Sequence, residues 1–324
     1  MSPGRRRAAA AASILPPKER PMIETFFAEL PSGVTLSCRA SGRPGAPVLI
    51  FLHGFPEAAF VWDTMLEHFG ERYRCIAPNL RGFEKSSSPT EPEAYRVKHL
   101  ISDLDALIAQ VVTPAGGPLE ALIAHDWGGA VAWTFAVQRP HMLKRLVIIN
   151  SPHPATFLRE LQHNPEQQRA SAYMNFLCRP DAEKLLAEND FARLWPMFTN
   201  MGAADTSREG GGWLTEPVRD QYRAVWSAGL TGGCNYYRSS PLRPPTPQDT
   251  SLMQISFAPD FVTVNVPTHV VWGEDDMALP VALLDGLEAF VPNMRLVRVP
   301  GATHWIVHER PDFIAAQIET SLAA

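Results

Sequence analysis

Apolar positions along the chain fall into two alternating patterns. Short runs rich in Val, Ile and Leu end in Gly, Pro, Asn or Asp, as buried strands do: "PVLIFLHG" (47–54), "YRCIAPN" (73–79), "LEALIAHD" (119–126), "RLVIINSP" (145–152), "THVVWGEDD" (268–276) and "RLVRVPGATH" (295–304). Longer segments with a period near 3.6 lie between several of them: "AYRVKHLISDLDALIAQVV" (94–112), "GAVAWTFAVQRP" (129–140) and "LPVALLDGLEAFVP" (279–292). Near the start, "MIETFFAEL" and "VTLSCRA" flank "PSG" and predict an antiparallel hairpin. Strands alternating with helices predict an α/β fold, a mostly parallel sheet of eight strands covered on both faces.

One region breaks the alternation. Strand-like runs stop from Pro152 to about Val266, and Trp, Met, Phe and Tyr appear among helix formers, with "SSPLRPPTPQD" near the exit. We read residues 152–250 as a helical cap inserted into a core of residues 22–151 and 251–324. The insertion leaves after one strand and returns before another, so it is expected over the strand C-termini, where open α/β sheets bind ligands. Residues 1–21 are Ala/Arg-rich, end near Pro-Pro and read as a disordered tail. Their arginines and apolar run mimic a targeting peptide, but no small-residue cleavage site follows.

Composition narrows the partners. A net charge of −5 across 324 residues gives no general attraction to nucleic acid or anionic membrane, and no run approaches the length of a membrane span. The cysteines Cys38, Cys75, Cys178 and Cys234 are scattered without metal-like spacing, which suits free thiols in a reducing compartment. The expectation is a soluble, cytoplasmic protein; its oligomeric state is not written in the sequence.

Candidate chemistry gathers where strands end: His53-Gly54-Phe55-Pro56, Asp126-Trp127-Gly128-Gly129, Asp275 and Asp276, and His304-Trp305. Small-x-Asp-x-Gly-Gly, with Ala124 in the first small position, fits the strand–turn–helix bend that exposes a nucleophile, and Asp126, Asp276 and His304 follow in the order nucleophile, acid, histidine. The competing reading is an aspartate that merely caps the following helix. An aspartate of ordinary pKa (~4) is ionised at neutral pH and needs no base, which suits attack on saturated carbon rather than on an ester carbonyl.

"HGFPE", "HDWGGA", "WGEDD" and "GATHW" together resemble the α/β-hydrolase superfamily and, within it, the epoxide hydrolases, over nearly everything from residue 22 onward. In the insertion, "SAYMNFLCRP" is similar to the first cap segment of epoxide hydrolases and "GCNYYRSS" to their Asn-x-Tyr-Arg segment, which implies ring-opening tyrosines at Tyr173 and Tyr237. Tyr236 is the fallback if the register slips by one, and Tyr222 shows that tyrosine is not rare in this region. The resemblance further implies Asp276 rather than Asp275 as the triad acid, and His304 as the base that activates water. It implies an oxyanion hole from the backbone N–H groups of Phe55 and Trp127, whose side chains also border the substrate. Gly54 is expected to permit the backbone that turns the Phe55 donor inward. His53 and His125 are read as structural. The implied substrates are a small apolar epoxide and water, with no metal or organic cofactor.

Two phenols favour an epoxide, whose opening oxygen needs a proton, over a halide, which does not. A dehalogenase using the same aspartate, and a silent ligand-binding protein on the same scaffold, are the alternatives. "NLRGFEKSSSP" departs from the family's Arg-Gly-x-Gly-x-Ser loop at Glu84, so a change in backbone path or substrate preference is expected there.

Overall fold

The structure, a computed structural model, describes residues 22–112 and 117–323; the segment read above as a tail, 1–21, lies outside the described residues. The eight strand-like runs are β1 (Glu24–Glu29), β2 (Thr35–Ser41), β3 (Val48–Leu52), β4 (Arg74–Pro78), β5 (Ala121–His125), β6 (Leu146–Ile149), β7 (Thr268–Gly273) and β8 (Met294–Val299). They form one sheet in the spatial order β1-β2-β4-β3-β5-β6-β7-β8. The hairpin across "PSG" sets Glu24 opposite Ala40, β2 also runs antiparallel to β4, and the remaining pairings are parallel. Every residue of β3, β5, β6 and β7 is buried, which is why these strands are continuously apolar rather than alternating.

The helices of the first half are α1 (Asp63–Phe69), α2 (Val97–Val111) and α3 (Trp127–Gln138). Between β6 and β7 lie α4 (Pro154–His163), α5 (Pro165–Ala170), α6 (Tyr173–Leu177), α7 (Ala182–Phe191), α8 (Trp195–Thr199), α9 (Glu216–Ser227) and α10 (Thr231–Ser239). The short α11 (Ile306–Glu309) and α12 (Pro311–Ala323) follow β8. One sheet face packs Leu49 and Phe51 against Trp62, Phe69, Ile314 and Ile318. The other packs Ile50 and Leu52 with Leu104, Leu107 and Trp133, and its apolar cluster continues into Phe198, Tyr222 and Trp226 of the inserted helices. Burying each such side chain contributes ~1.5–3 kcal/mol, so the insertion is welded to the sheet rather than hung from it.

One helix expected from periodicity does not form. "LPVALLDGLEAFVP" yields only two single turns, Val281–Leu284 and Leu287–Ala289. Gly286 between them is left-handed (φ 71°), which breaks the helical path, and Arg159 donates to the carbonyls of Ala282 and Asp285 on either side of the break. A tertiary contact thus overrides the local pattern.

Cys38, Cys75 and Cys234 are buried and Cys178 partly so; all four are free. Burial pushes the thiols of Cys38, Cys75 and Cys234 up to about 12, leaving them unreactive near neutral pH. Among the described residues no helix is long and apolar enough to cross a membrane.

Candidate active site

The site grows from the bend between β5 and α3. Asp126 sits at φ 50°, ψ −122°, a conformation a non-glycine residue adopts only under constraint. The constraint is visible: its carbonyl accepts from Ser151 Oγ (2.7 Å) and Ala130 N (3.1 Å), and its Oδ1 accepts from the Phe55 N–H (2.7 Å). The carboxylate makes no capping bond to α3, which removes the reading of Asp126 as a helix cap. Gly128 follows because a Cβ there would run into the Leu52 carbonyl of β3. Gly54 is a correction to the expectation above. Its dihedrals lie outside the left-handed region, and glycine is needed because a Cβ would collide with the Asp126 carboxylate.

Three strand ends bring the polar groups together. His304, in the loop after β8, places Nδ1 2.7 Å from Asp276 Oδ2 and Nε2 3.6 Å from Asp126 Oδ2. Asp276, after β7, also accepts from the backbone N–H groups of Ala278 and Leu279 and from Asn150 Nδ2 (2.8 Å). Its neighbour Asp275 faces away, more than half exposed, 3.6 Å from Arg208. Burial pushes the His304 imidazole down. The charge and hydrogen bond of Asp276, then the charges of Asp126 and Glu57, outweigh that and hold it at about 9. Trp127 is the first residue of α3, so its N–H lies outside the intrahelical ladder.

Tyr173 of α6 and Tyr237 of α10 approach from the insertion, their rings 6.0 Å apart and edge to face. Tyr237 packs edge-on against Phe55 (5.4 Å) and Trp127 (5.1 Å). Burial raises both phenols well above the ordinary tyrosine range, and the charge of Asp126 adds to the rise in each. Both therefore stay protonated and lie within the field of the Asp126 carboxylate. Tyr236, one residue earlier on the same helix, turns the other way and donates to the Arg81 carbonyl (3.1 Å).

Behind His304 lies a second polar cluster whose parts sequence reasoning left unassigned. Glu57, fully buried, accepts from Tyr222 Oη (2.7 Å) and meets His308 Nε2 (2.7 Å) at the same Oε1. Its Oε2 lies 3.3 Å from His125 Nδ1, within ion-pair range though outside hydrogen-bond geometry. Burial alone would raise the Glu57 carboxyl; His308 and His125 instead hold it well below the usual carboxylate range. His125 does more than pack, contrary to expectation: its Nε2 meets the His304 carbonyl at 2.8 Å and its ring lies 4.7 Å from that of His304. The available signals were the Glu closing "HGFPE" and the second histidine in "HWIVHE". Asn150, which holds Asp276, was also missed, although it ends a buried strand as a polar residue at φ 37°.

His53 is structural as read. Its Nε2 accepts from Leu80 N (3.0 Å), its Nδ1 meets the Gly54 carbonyl (2.9 Å), and burial lowers it to about 4, so it stays neutral. Glu84 occupies the left-handed position (φ 50°) where the family pattern has glycine, and its Oε2 accepts from Ser37 Oγ and Asn79 Nδ2. The substitution pins the loop to β2 and the end of β4. Its carboxylate is spent there.

Comparison with known proteins agrees with this geometry. The family model described as the alpha/beta hydrolase fold matches residues 47–311. Epoxide hydrolase 4 of Mus musculus is 32% identical over 287 residues, 87% of this chain and 75% of that protein. AB hydrolase superfamily protein YfhM of Bacillus subtilis (strain 168) is 33% identical over 287 residues, 87% of this chain and 92% of that protein. Among solved structures, the epoxide hydrolase of Bacillus megaterium in complex with an inhibitor superposes with a TM-score of 0.81 at 27% identity, covering 92% of this chain and all of the other. With an aspartate at the elbow, a histidine beside it and relatives of this kind over most of its length, the chain belongs to the α/β-hydrolase superfamily, in its epoxide hydrolase branch.

Proposed function

We propose that this protein hydrolyses an apolar epoxide to a vicinal diol through a covalent ester on Asp126. The observation that carries this reading is the pair of phenols Tyr173 and Tyr237, their rings 6.0 Å apart, with Tyr237 packed against Phe55 and Trp127 on either side of the elbow. Asp126 Oδ2, the oxygen not held by Phe55, attacks an epoxide carbon. The ring C–O bond breaks, and the departing oxygen takes a proton from the phenol pair. A halide leaving group would need no such donors.

In the resulting ester Oδ1 becomes the carbonyl oxygen, still facing the Phe55 N–H, with the Trp127 N–H as its second donor. Esterification also erases the charge of Asp126, one of the groups that raise His304, and so shifts that ring toward the neutral form a base requires. His304, oriented by Asp276, then takes a proton from the water that attacks the Asp126 carbonyl carbon. Residues 152–250 act as the cap that supplies both tyrosines.

Single turnover in oxygen-18 water tests the route. The first equivalent of diol should be unlabelled, because its new oxygen comes from Asp126; label in that equivalent would exclude the ester. Tyr237→Phe should slow ring opening by roughly 10²-fold or more, the usual range for a lost general acid. An unchanged rate would remove Tyr237 from the site, and halide release without diol from any epoxide would favour a dehalogenase.

A further inference from the structure

Tyr237 reaches the site on α10, and a segment of the core seats that helix: residues 79–95, between β4 and α2. Tyr236 Oη donates to the Arg81 carbonyl (3.1 Å), Asn235 Nδ2 to that of Thr90 (2.9 Å) and Ser239 Oγ to that of Tyr95 (3.0 Å). At the start of α10, Gly232 lies directly on Gly82, which is left-handed (φ 89°); a Cβ on either would run into the backbone of the other. The Tyr236 ring packs beside this contact, edge-on to Phe83 (5.4 Å) and 5.6 Å from Tyr95.

The segment is itself held from the far side. The buried Arg81 guanidinium grips Asp103 of α2 through two bonds of 2.7 Å, Nε to Oδ2 and Nη2 to Oδ1. Its Nη1 donates to the Ala94 carbonyl (2.8 Å). A buried ion pair contributes little net stability once desolvation is counted, but a two-pronged guanidinium–carboxylate contact fixes geometry. Here it fixes the residue whose carbonyl Tyr236 rests on.

We propose that Tyr236 and the Arg81–Asp103 pair are positioning residues for Tyr237: they set how α10 lies on the core and so aim the adjacent phenol at the oxygen of the opening ring. The inference rests on the epoxide-opening reading above and assigns these residues to one half of it. Because the phenols serve ring opening, the clamp acts on formation of the Asp126 ester and leaves its hydrolysis to His304 and Asp276.

Tyr236→Phe removes only the hydroxyl, and single-turnover quench with styrene oxide separates the two steps. Ester formation should slow by roughly three- to tenfold, the range for one lost hydrogen bond, with ester breakdown unchanged. Tyr236→Phe placed on top of Tyr237→Phe should add nothing to the loss from Tyr237→Phe alone, because a residue that acts through another has no effect once that other is gone. Gly232→Ala, which lifts α10 off Gly82 without touching the hydroxyl, should slow the same step. Equal slowing of both steps, ester formation unchanged in Tyr236→Phe and Gly232→Ala, or losses that add in the double variant would overturn the positioning role. Wild-type protein that forms an ester with neither styrene oxide nor cyclohexene oxide would instead overturn the epoxide reading itself.

Discussion

Two buried carboxylates in this molecule each meet an imidazole at 2.7 Å, Asp276 with His304 and Glu57 with His308, yet they are built for opposite ends. His304 keeps its second nitrogen toward Asp126, 3.6 Å away, so its protonation depends on a charge that a reaction on Asp126 would remove. Glu57 is fully buried. Tyr222 from the insertion and His308 from α11 share one of its oxygens, and His308 stacks on Trp213 at 4.1 Å. On the reading proposed above, the same chemical pair moves a proton where one imidazole nitrogen faces Asp126, and fastens core to insertion where Tyr222 and His308 share one oxygen of Glu57. His125 links the two, reaching from Glu57 to the His304 carbonyl.

The largest expected contrast comes from removing each imidazole partner in turn. His304→Gln should cut turnover by roughly 10³-fold while leaving ring opening intact. Intact-protein mass spectrometry should then show the substrate's mass added to the chain, and a fully active variant with no adduct would end the two-device picture. Glu57→Gln should act mainly on stability, by about 3 kcal/mol, because it strips the charge from a buried cluster whose partners stay behind. A lowered denaturant midpoint with kcat within about tenfold of wild type is the expected result. Unchanged stability would deny Glu57 its fastening role.

A smaller effect sharpens the front pair. His304 stands at about 9 with Asp126 charged, and esterification removes one of the groups that raise it. Breakdown of the ester, followed by single-turnover quench, should therefore accelerate with rising pH and level off below pH 9. A rate that falls across that range would mean the protonated ring is the active form. Smallest of all, Asp275→Asn should leave kcat within about twofold, since an exposed acid beside Arg208 contributes under ~1 kcal/mol. Asp276→Asn should lower it far more. Equal effects would erase the distinction between these adjacent aspartates.

Much of the core was legible because its physics is local. A strand buried on both faces must be continuously apolar, so β3, β5, β6 and β7 announced themselves, as did the hairpin of β1 and β2. The bend around Asp126 was legible for the same reason, because close approach of strand and helix demands small residues in a fixed spacing. The segment at 279–292 was misread because Gly286 turns left-handed in its middle, where Arg159, far away in sequence, bonds the carbonyls of Ala282 and Asp285.

Sequence by itself thus determined the strands, the bend and which residue types stand at each strand end, since those follow from neighbours within a few positions. It could name Tyr173 and Tyr237 only through resemblance. Which phenol of the Tyr236–Tyr237 pair looks toward Asp126 is settled by how α10 lies on the core, with Tyr236 turned to the Arg81 carbonyl. Tertiary structure alone decided that Glu57, His125 and Asn150 stand behind the front pair. Burial, charge pairing and the pKa values they set are properties of groups distant in sequence, and they come into being only when the chain has closed around them.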